Sequence, residues 1–281
     1  MTSPRVDLTE KSRNIYLDTS IYNCLLDDPE RERILCAAKK RNLIIIPSAV
    51  NLCELLMTLD PVRKGNLIRI YNEIRNDFHP LKPFPWLLKE SVECVERGVE
   101  YLEINYPINV SEETEKICRD VMNKKGYELD GYVQGGRDYI QEVAKGEKLA
   151  DEHQYFAYVD SKGGEDVSLS IFDKICKGYD PAPDLDRETK LSIIRSPTLP
   201  WKYYLEAHYY FFYRRSFLEE KFGKNQNPGE SDLEQCIYLF WASKFVARDV
   251  PLLDFLKRLS EIRGYDKSIM DYHEFKSFLI E

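Results

Sequence analysis

The run Leu43–Pro47 (L-I-I-I-P) is apolar at every position, and no other feature constrains the fold as much. A strand with one wet face alternates apolar and polar residues. A strand apolar throughout is covered on both faces, as in a parallel sheet flanked by helices. Parallel neighbours need a long crossover, usually a helix, so the segments around this run should read as helices alternating with short strands.

They do so at both ends of the chain. Asn14–Leu17 (N-I-Y-L) reads as a short strand ending in Asp18, with Thr19 and Ser20 able to cap a helix after it. Glu30–Arg41 reads as a helix with Ile34, Leu35 and Ala38 at helical spacing, closed by Asn42. Ser48 suits the N-cap of a helix over Ala49–Leu59, on which Asn51 and Glu54 share a face. Asp60-Pro61 breaks the chain, and Val62–Arg75 comes next as an amphipathic helix with Leu67, Ile70, Tyr71 and Ile74 inward. The rhythm returns with a helix over Glu230–Phe240 and a strand over Lys244–Arg248 ending in Asp249. Pro251 then opens a helix that runs to about Arg263 and stops at Gly264. Ser268–Met270 reads as a last short strand and Tyr272–Ile280 as a last helix.

Between these parts the rhythm is lost. Residues 76–229 hold polar helical stretches at Trp86–Tyr101, Ser111–Lys125 and Arg137–Lys145, with Pro, Gly and Asp clusters between them. A long aromatic-rich helix over Trp201–Lys221 ends this region. The expected organisation is a flexible arm over 1–13, a discontinuous α/β core over 14–75 and 230–281, and a mostly helical insertion over 76–229.

Composition excludes several classes of function. The longest apolar runs are far shorter than the ~20 residues a membrane helix needs, so no membrane association is expected. The first residues, MTSPRVDLTEKSRN, lack the apolar centre of a secretory signal. Seven scattered cysteines without a C-x-x-C pair suggest reduced, mostly buried thiols in a cytoplasm. The net charge of −8, from 40 basic and 48 acidic residues, provides no bulk field for nucleic acid. The histidines at 79, 153, 208 and 273 are too dispersed for a zinc site or a catalytic triad. Lys162 and Gly164 exclude a calcium loop at Asp160–Asp173, and no G-x-G-x-x-G or P-loop motif occurs.

Asp18 and Asp249 directly follow strands, Glu54 lies two turns into the helix after the second strand, and Asp232 opens the helix before the third. Ligands of open parallel sheets bind beyond the carboxyl ends of the strands, where such acids can meet. Phosphodiester cleavage needs hydroxide at neutral pH and relief of charge on the leaving oxygen, and one or two Mg²⁺ or Mn²⁺ ions supply both. These hard ions take carboxylate and water oxygens, so several acids without His or Cys form a suitable donor set.

The segments Y-L-D-T-S-I-Y-N at 16–23, I-I-P-S-A-V-N-L-C-E-L at 45–55 and S-D-L-E-Q…F-V-A-R-D-V-P-L-L-D-F-L at 231–256 resemble the signature blocks of PIN-domain ribonucleases. H-E-F-K-S-F-L at 273–279 is similar to that family's last helix. Ala247 stands where the family commonly has Thr. The resemblance implies a Rossmann-like, three-layer α/β core with a parallel central sheet. It implies that Asp18, Glu54, Asp232 and Asp249 hold Mg²⁺ or Mn²⁺ and catalyse endonucleolytic hydrolysis, with single-stranded RNA as the substrate. DNA or a structured nucleic acid remains an alternative substrate, and a PIN-like binding subunit without turnover an alternative role. A homo-oligomer and an inhibitory protein partner stay open.

Thr19, Ser20, Asn51, Arg248, Arg214 and Arg215 are candidate substrate contacts, the last two because aromatics interleaved with Arg can stack bases and hold phosphates. Each candidate also has a plainer reading. Asp18, Asp232 and Asp249 suit helix caps, and Glu230 or Glu234 could take the place of Asp232. Arg63, Lys64 and Arg248 suit a solvated surface, and the aromatics of 201–213 suit a core.

Overall fold

The structure, a computed structural model, describes residues 11–75, 84–98, 151–161, 164–177, 184–218, 228 and 230–281. The helices expected at 111–125 and 137–145 lie outside these residues, as does most of the expected arm, of which Lys11–Arg13 forms one 3₁₀ turn.

Strands β1 (Asn14–Leu17), β2 (Ile44–Ile46), β3 (Lys244–Val246) and β4 (Ser268–Met270) form one sheet in the order β2-β1-β3-β4, parallel at every pairing. Tyr16 pairs with Ile46 on one side and Phe245 on the other. The order reverses between β1 and β3, which makes a topological switch point where Asp18 and Asp249 follow their strands, the place where open parallel sheets bind ligands.

Strand side chains alternate between two faces, and each face has its own hydrophobic cluster. Ile15, Leu17, Ile45, Val246 and Met270 belong to one. Helices α1 (Thr19–Asp27), α2 (Arg31–Lys40), α3 (Ala49–Leu56) and α4 (Pro61–Arg75) contribute to it. Leu67, Ile70, Tyr71 and Ile74 all turn inward from α4, as their spacing predicts. Tyr16, Ile46, Phe245, Ala247 and Ile269 belong to the other cluster.

The described helices of the middle region complete that second cluster. They are α5 (Phe84–Arg97), α6 (Glu152–Asp160), α7 (Glu165–Lys177), α8 (Arg187–Arg195) and α9 (Trp201–Tyr213). Helix α9 packs on the segment immediately after the short helix α10 (Glu230–Gln235). That segment, Cys236–Phe240, tightens to a 3₁₀ turn where a single helix over 230–240 is expected. Tyr238 within it stacks on Tyr16, with ring centroids 4.9 Å apart. Helix α11 (Val250–Arg263) lies on the same face, and two of its arginines reach α6. Arg258 Nε donates to Glu152 at 2.9 Å and Arg263 Nη1 to Asp160 at 2.7 Å. The described part of 76–229 thus shares one hydrophobic cluster with one face of the sheet. The closing helix α12 (Tyr272–Ile280) covers the opposite face through Phe275 and Leu279.

Local signals account for most boundaries. Ser48 and Asn51 form a capping box on α3, Asn42 takes a left-handed φ of 54° after α2, and Gly264 (φ 63°) ends α11. The expected helix over Ala49–Leu59 stops early at Leu56, and the aromatic helix gives way after Tyr213 to a π-turn over Arg214–Leu218.

The cysteines depart from expectation. Cys53 is disulfide-bonded rather than reduced. Of the free thiols described, only Cys236 is buried, while Cys24 and Cys94 are half-buried and Cys36 is exposed. Cys36 faces outward because Ile34 and Ala38 take the inward side of α2, and spacing alone cannot reveal a pairing between distant cysteines. No helix among the described residues is long and apolar enough to cross a membrane.

Candidate functional site

Asp18 follows β1 and caps α1, where Oδ2 accepts from the Ser20 amide at 3.1 Å and from the Ser20 hydroxyl. The residue is only 5% exposed. Its other oxygen, Oδ1, accepts from Gln235 Nε2 at 2.7 Å, which ties the end of β1 to α10. The Arg248 amide donates to Ser20 Oγ at 3.2 Å, so the end of β3 meets the same turn.

Glu54 stands nearby on α3. Burial pushes its carboxyl up to about 7, a hydrogen bond from Thr19 opposes the rise, and the charges of Asp18, Asp232 and Glu234 add to it. Carboxylates from the end of β1, from α3 and from α10 therefore lie within one another's fields. Among the described residues no group of three or more His, Cys, Asp and Glu side chains is placed to hold a metal ion. As donors the four acids suit a hard divalent cation, but the side chains are not gathered at ligating distance.

The sequence-derived candidates fall into two groups. Asp18, Glu54, Asp232, Thr19 and Ser20 come together, and the hydroxyls of Thr19 and Ser20 bond the site's own acids. Asp249 is exposed and caps α11, with Oδ1 accepting from the Leu252 amide at 2.8 Å. It is not among the charges that act most on Glu54, whereas Glu234 is. Asn51 is fully buried and has no surface to offer a substrate. Arg214 is 6% exposed, with its guanidinium over the rings of Tyr210 and Phe255, and the guanidinium of Arg215 lies over Phe211. The aromatics at 204–213 are buried and form core, which removes the base-stacking surface expected of them. Arg63 bridges α4 to α1, donating to Asn23 at 3.0 Å and Asp27 at 2.8 Å. Arg248 remains exposed beside the site.

Comparison with protein-family models, with curated proteins and with solved structures finds no match.

Gln235 and Tyr16 are not among the candidates read from the sequence, although both carried a signal. Gln235 is three residues after Asp232 and so shares its helix face. Tyr16 is two residues before Asp18 and so leaves the strand on the same side. The Tyr16 hydroxyl donates to Gln235 Oε1 at 3.0 Å and lies 3.0 Å from Ser48 Oγ. Tyr71 donates to the Ser48 carbonyl at 2.9 Å, which links α4 to the same network.

Proposed function

We propose that the chain is a metal-dependent endonuclease with a PIN-like core, acting on single-stranded RNA. The observation that carries this reading is the position of Glu54, half-buried within the fields of Asp18, Asp232 and Glu234 beside the switch point of a parallel sheet. A structural acid in such a place would be given a basic partner. An acid held among other acids suits a site that receives a cation. The order of the motif blocks along the chain agrees with the reading.

Asp18, Glu54 and Asp232 would hold Mg²⁺ or Mn²⁺, with Glu234 joining them and Asp249 mainly capping α11. When bound, such an ion supplies a nucleophile at neutral pH and takes up charge on the leaving oxygen. Glu54, with its carboxyl near 7, must release its proton to accept a cation, so binding strengthens as pH rises. The exposed Arg248 is the side chain best placed to meet a phosphate at the rim.

A cleavage assay in Mn²⁺ on labelled RNA and DNA tests the reading. RNA cut by the parent and not by Asp18→Asn supports it, and cleavage of DNA alone reassigns the substrate. A binding subunit without turnover is the second reading, favoured because no three acids among the described residues are placed to hold an ion. Binding of RNA without cleavage in any divalent metal would establish it.

A further inference from the structure

The network behind Asp18 has a direction fixed by groups that can only donate or only accept. Asn51 Oδ1 faces the Ser48 backbone amide at 3.3 Å, which can only donate. Asn51 Nδ2 faces the Leu17 carbonyl at 3.2 Å, which can only accept. The Asn51 amide therefore has one permitted orientation. Its Nδ2 also faces Gln235 at 3.5 Å, so the Gln235 atom there is the oxygen. The Tyr16 hydroxyl donates to that same oxygen at 3.0 Å. Gln235 must then present its NH₂ to Asp18, where Nε2 donates to Oδ1 at 2.7 Å.

Every member of this chain is buried: Tyr16, Ser48, Asn51 and Gln235 are each 1% exposed or less. An unsatisfied polar atom here would cost the full desolvation penalty, so the network resists rearrangement. It joins the end of β1, α3 and α10, which carry Asp18, Glu54 and Asp232.

We propose that Gln235, oriented by Tyr16 and Asn51, is a positioning residue that holds the Asp18 carboxylate in one orientation for a divalent cation. The inference rests on the metal-site reading above. Groups that orient a metal ligand typically change affinity or activity by about 10–100-fold when removed. Filling the buried site with Leu keeps the volume and removes the donor to Asp18. Tyr16→Phe keeps the ring and removes only the hydroxyl that pins Gln235.

The test is the dissociation constant for Mn²⁺, read from the electron paramagnetic resonance of free Mn²⁺, for the parent, Gln235→Leu, Tyr16→Phe and the double variant. Melting temperatures in EDTA are measured alongside. Gln235→Leu should weaken Mn²⁺ binding about tenfold or more, and Tyr16→Phe by a smaller factor. Because Tyr16 acts through Gln235, the double variant should bind no more weakly than Gln235→Leu alone. A Gln235→Leu protein that melts lower in EDTA but binds Mn²⁺ like the parent is a packing variant and overturns the inference. Additive losses in the double variant overturn it too. If Gln235→Leu does not fold, Tyr16→Phe decides, and an unchanged affinity overturns the inference. A parent that binds no Mn²⁺ overturns the metal reading and the inference together, whereas a parent that binds with unaffected variants overturns the inference alone.

Discussion

Glu206 and Glu54 are both glutamates withdrawn from water, and their surroundings are opposite. Glu206, on α9, is 6% exposed and accepts from Arg263 Nη2 at 2.6 Å. Burial pushes its carboxyl up, and Arg263 and Lys202 pull it back. Arg263 also meets Asp160 and lies over the ring of Phe156 at 4.8 Å. Glu54 has a burial cost too, but the charges acting most on it are Asp18, Asp232 and Glu234, and all raise its pKa. The helical layer compensates its buried charge internally, and the carboxyl end of the sheet brings like charges near one another. Of the two, the second is the arrangement that a cation from solution would relieve.

The largest effect should come from removing the internal compensation. Arg263→Met leaves Glu206 buried without its cation, and breaking a buried pair costs about 3–5 kcal/mol. Urea unfolding at neutral pH should show that loss. The double variant Arg263→Met, Glu206→Leu should recover much of it, because no charge is then stranded. A single variant as stable as the parent would show that Glu206 does not depend on Arg263.

The next effect has the opposite sign. The Glu54 carboxyl sits at about 7 in the folded chain against 4.5 as its ordinary value. The folded state therefore binds the proton more tightly than the unfolded state. The resulting stability is complete below about 4.5 and is lost as pH rises through about 7. In EDTA the parent should lose roughly 3 kcal/mol across that window from this group. Glu54→Gln should flatten that loss, be more stable than the parent at pH 8, and lose much of the rise in melting temperature that Mn²⁺ gives the parent. A variant with the parent's pH slope would place Glu54 outside a cluster of like charges.

The two regions were also unequally legible in the sequence. Around the sheet each element carried a local signal. The unbroken run at 43–47 marked a buried strand, Ser48 a cap, Gly264 a stop, and the spacing of Leu67, Ile70, Tyr71 and Ile74 a helix face, and the structure has all four. Asp18 and Asp232 stood out as acids at a strand end and a helix start, and Glu54 as an acid among the apolar neighbours Leu52, Cys53, Leu55 and Leu56. Glu234 was noticed only as a substitute, since two neighbouring acids on a short helix cannot be ranked by sequence. The role of α9 was harder to see. Its aromatics are buried around nearly the whole circumference, so no apolar stripe marks which side meets the sheet, and the arginines beside them suggested a wet surface. Arg63 lies at the surface as expected, but its partners Asn23 and Asp27, 40 and 36 residues away, could not be read from the sequence.

A buried histidine gives an effect of similar size and opposite slope on the acid side. Burial lowers His208 to about 4 from 6.5, with the Tyr204 carbonyl 2.9 Å from Nδ1 opposing that shift. A depressed folded pKa contributes stability that is present above about 6.5 and lost as pH falls toward about 4. Between these values Glu54 gains stability on acidification while His208 loses it, so the two slopes offset in the parent. Glu54→Gln should unmask the loss, seen as a melting temperature that falls more steeply below about pH 6 than the parent's. An equal acid slope in both proteins would remove the opposition between the two groups.

The smallest effect carries the comparison down to neutral groups. Tyr16 and Tyr22 are both fully buried, and burial raises both phenols. The Tyr16 hydroxyl is held by Ser48 and Gln235, whereas the Tyr22 hydroxyl has no hydrogen-bond partner among the described residues. Removing a satisfied hydroxyl strands its former partners, and removing an unsatisfied one strands nothing. Tyr16→Phe should therefore destabilise the protein by about 1–2 kcal/mol in urea. Tyr22→Phe should be neutral or stabilise by about 1 kcal/mol, because the ring stays in contact with Tyr71 at 5.7 Å and only the stranded oxygen is lost. The Tyr22 hydroxyl also lies within the field of Asp18. If Tyr22→Phe instead destabilises the protein and weakens Mn²⁺ binding as Tyr16→Phe does, both tyrosines serve the acidic site, and the boundary between the compensated helical layer and the acidic end of the sheet moves into α1.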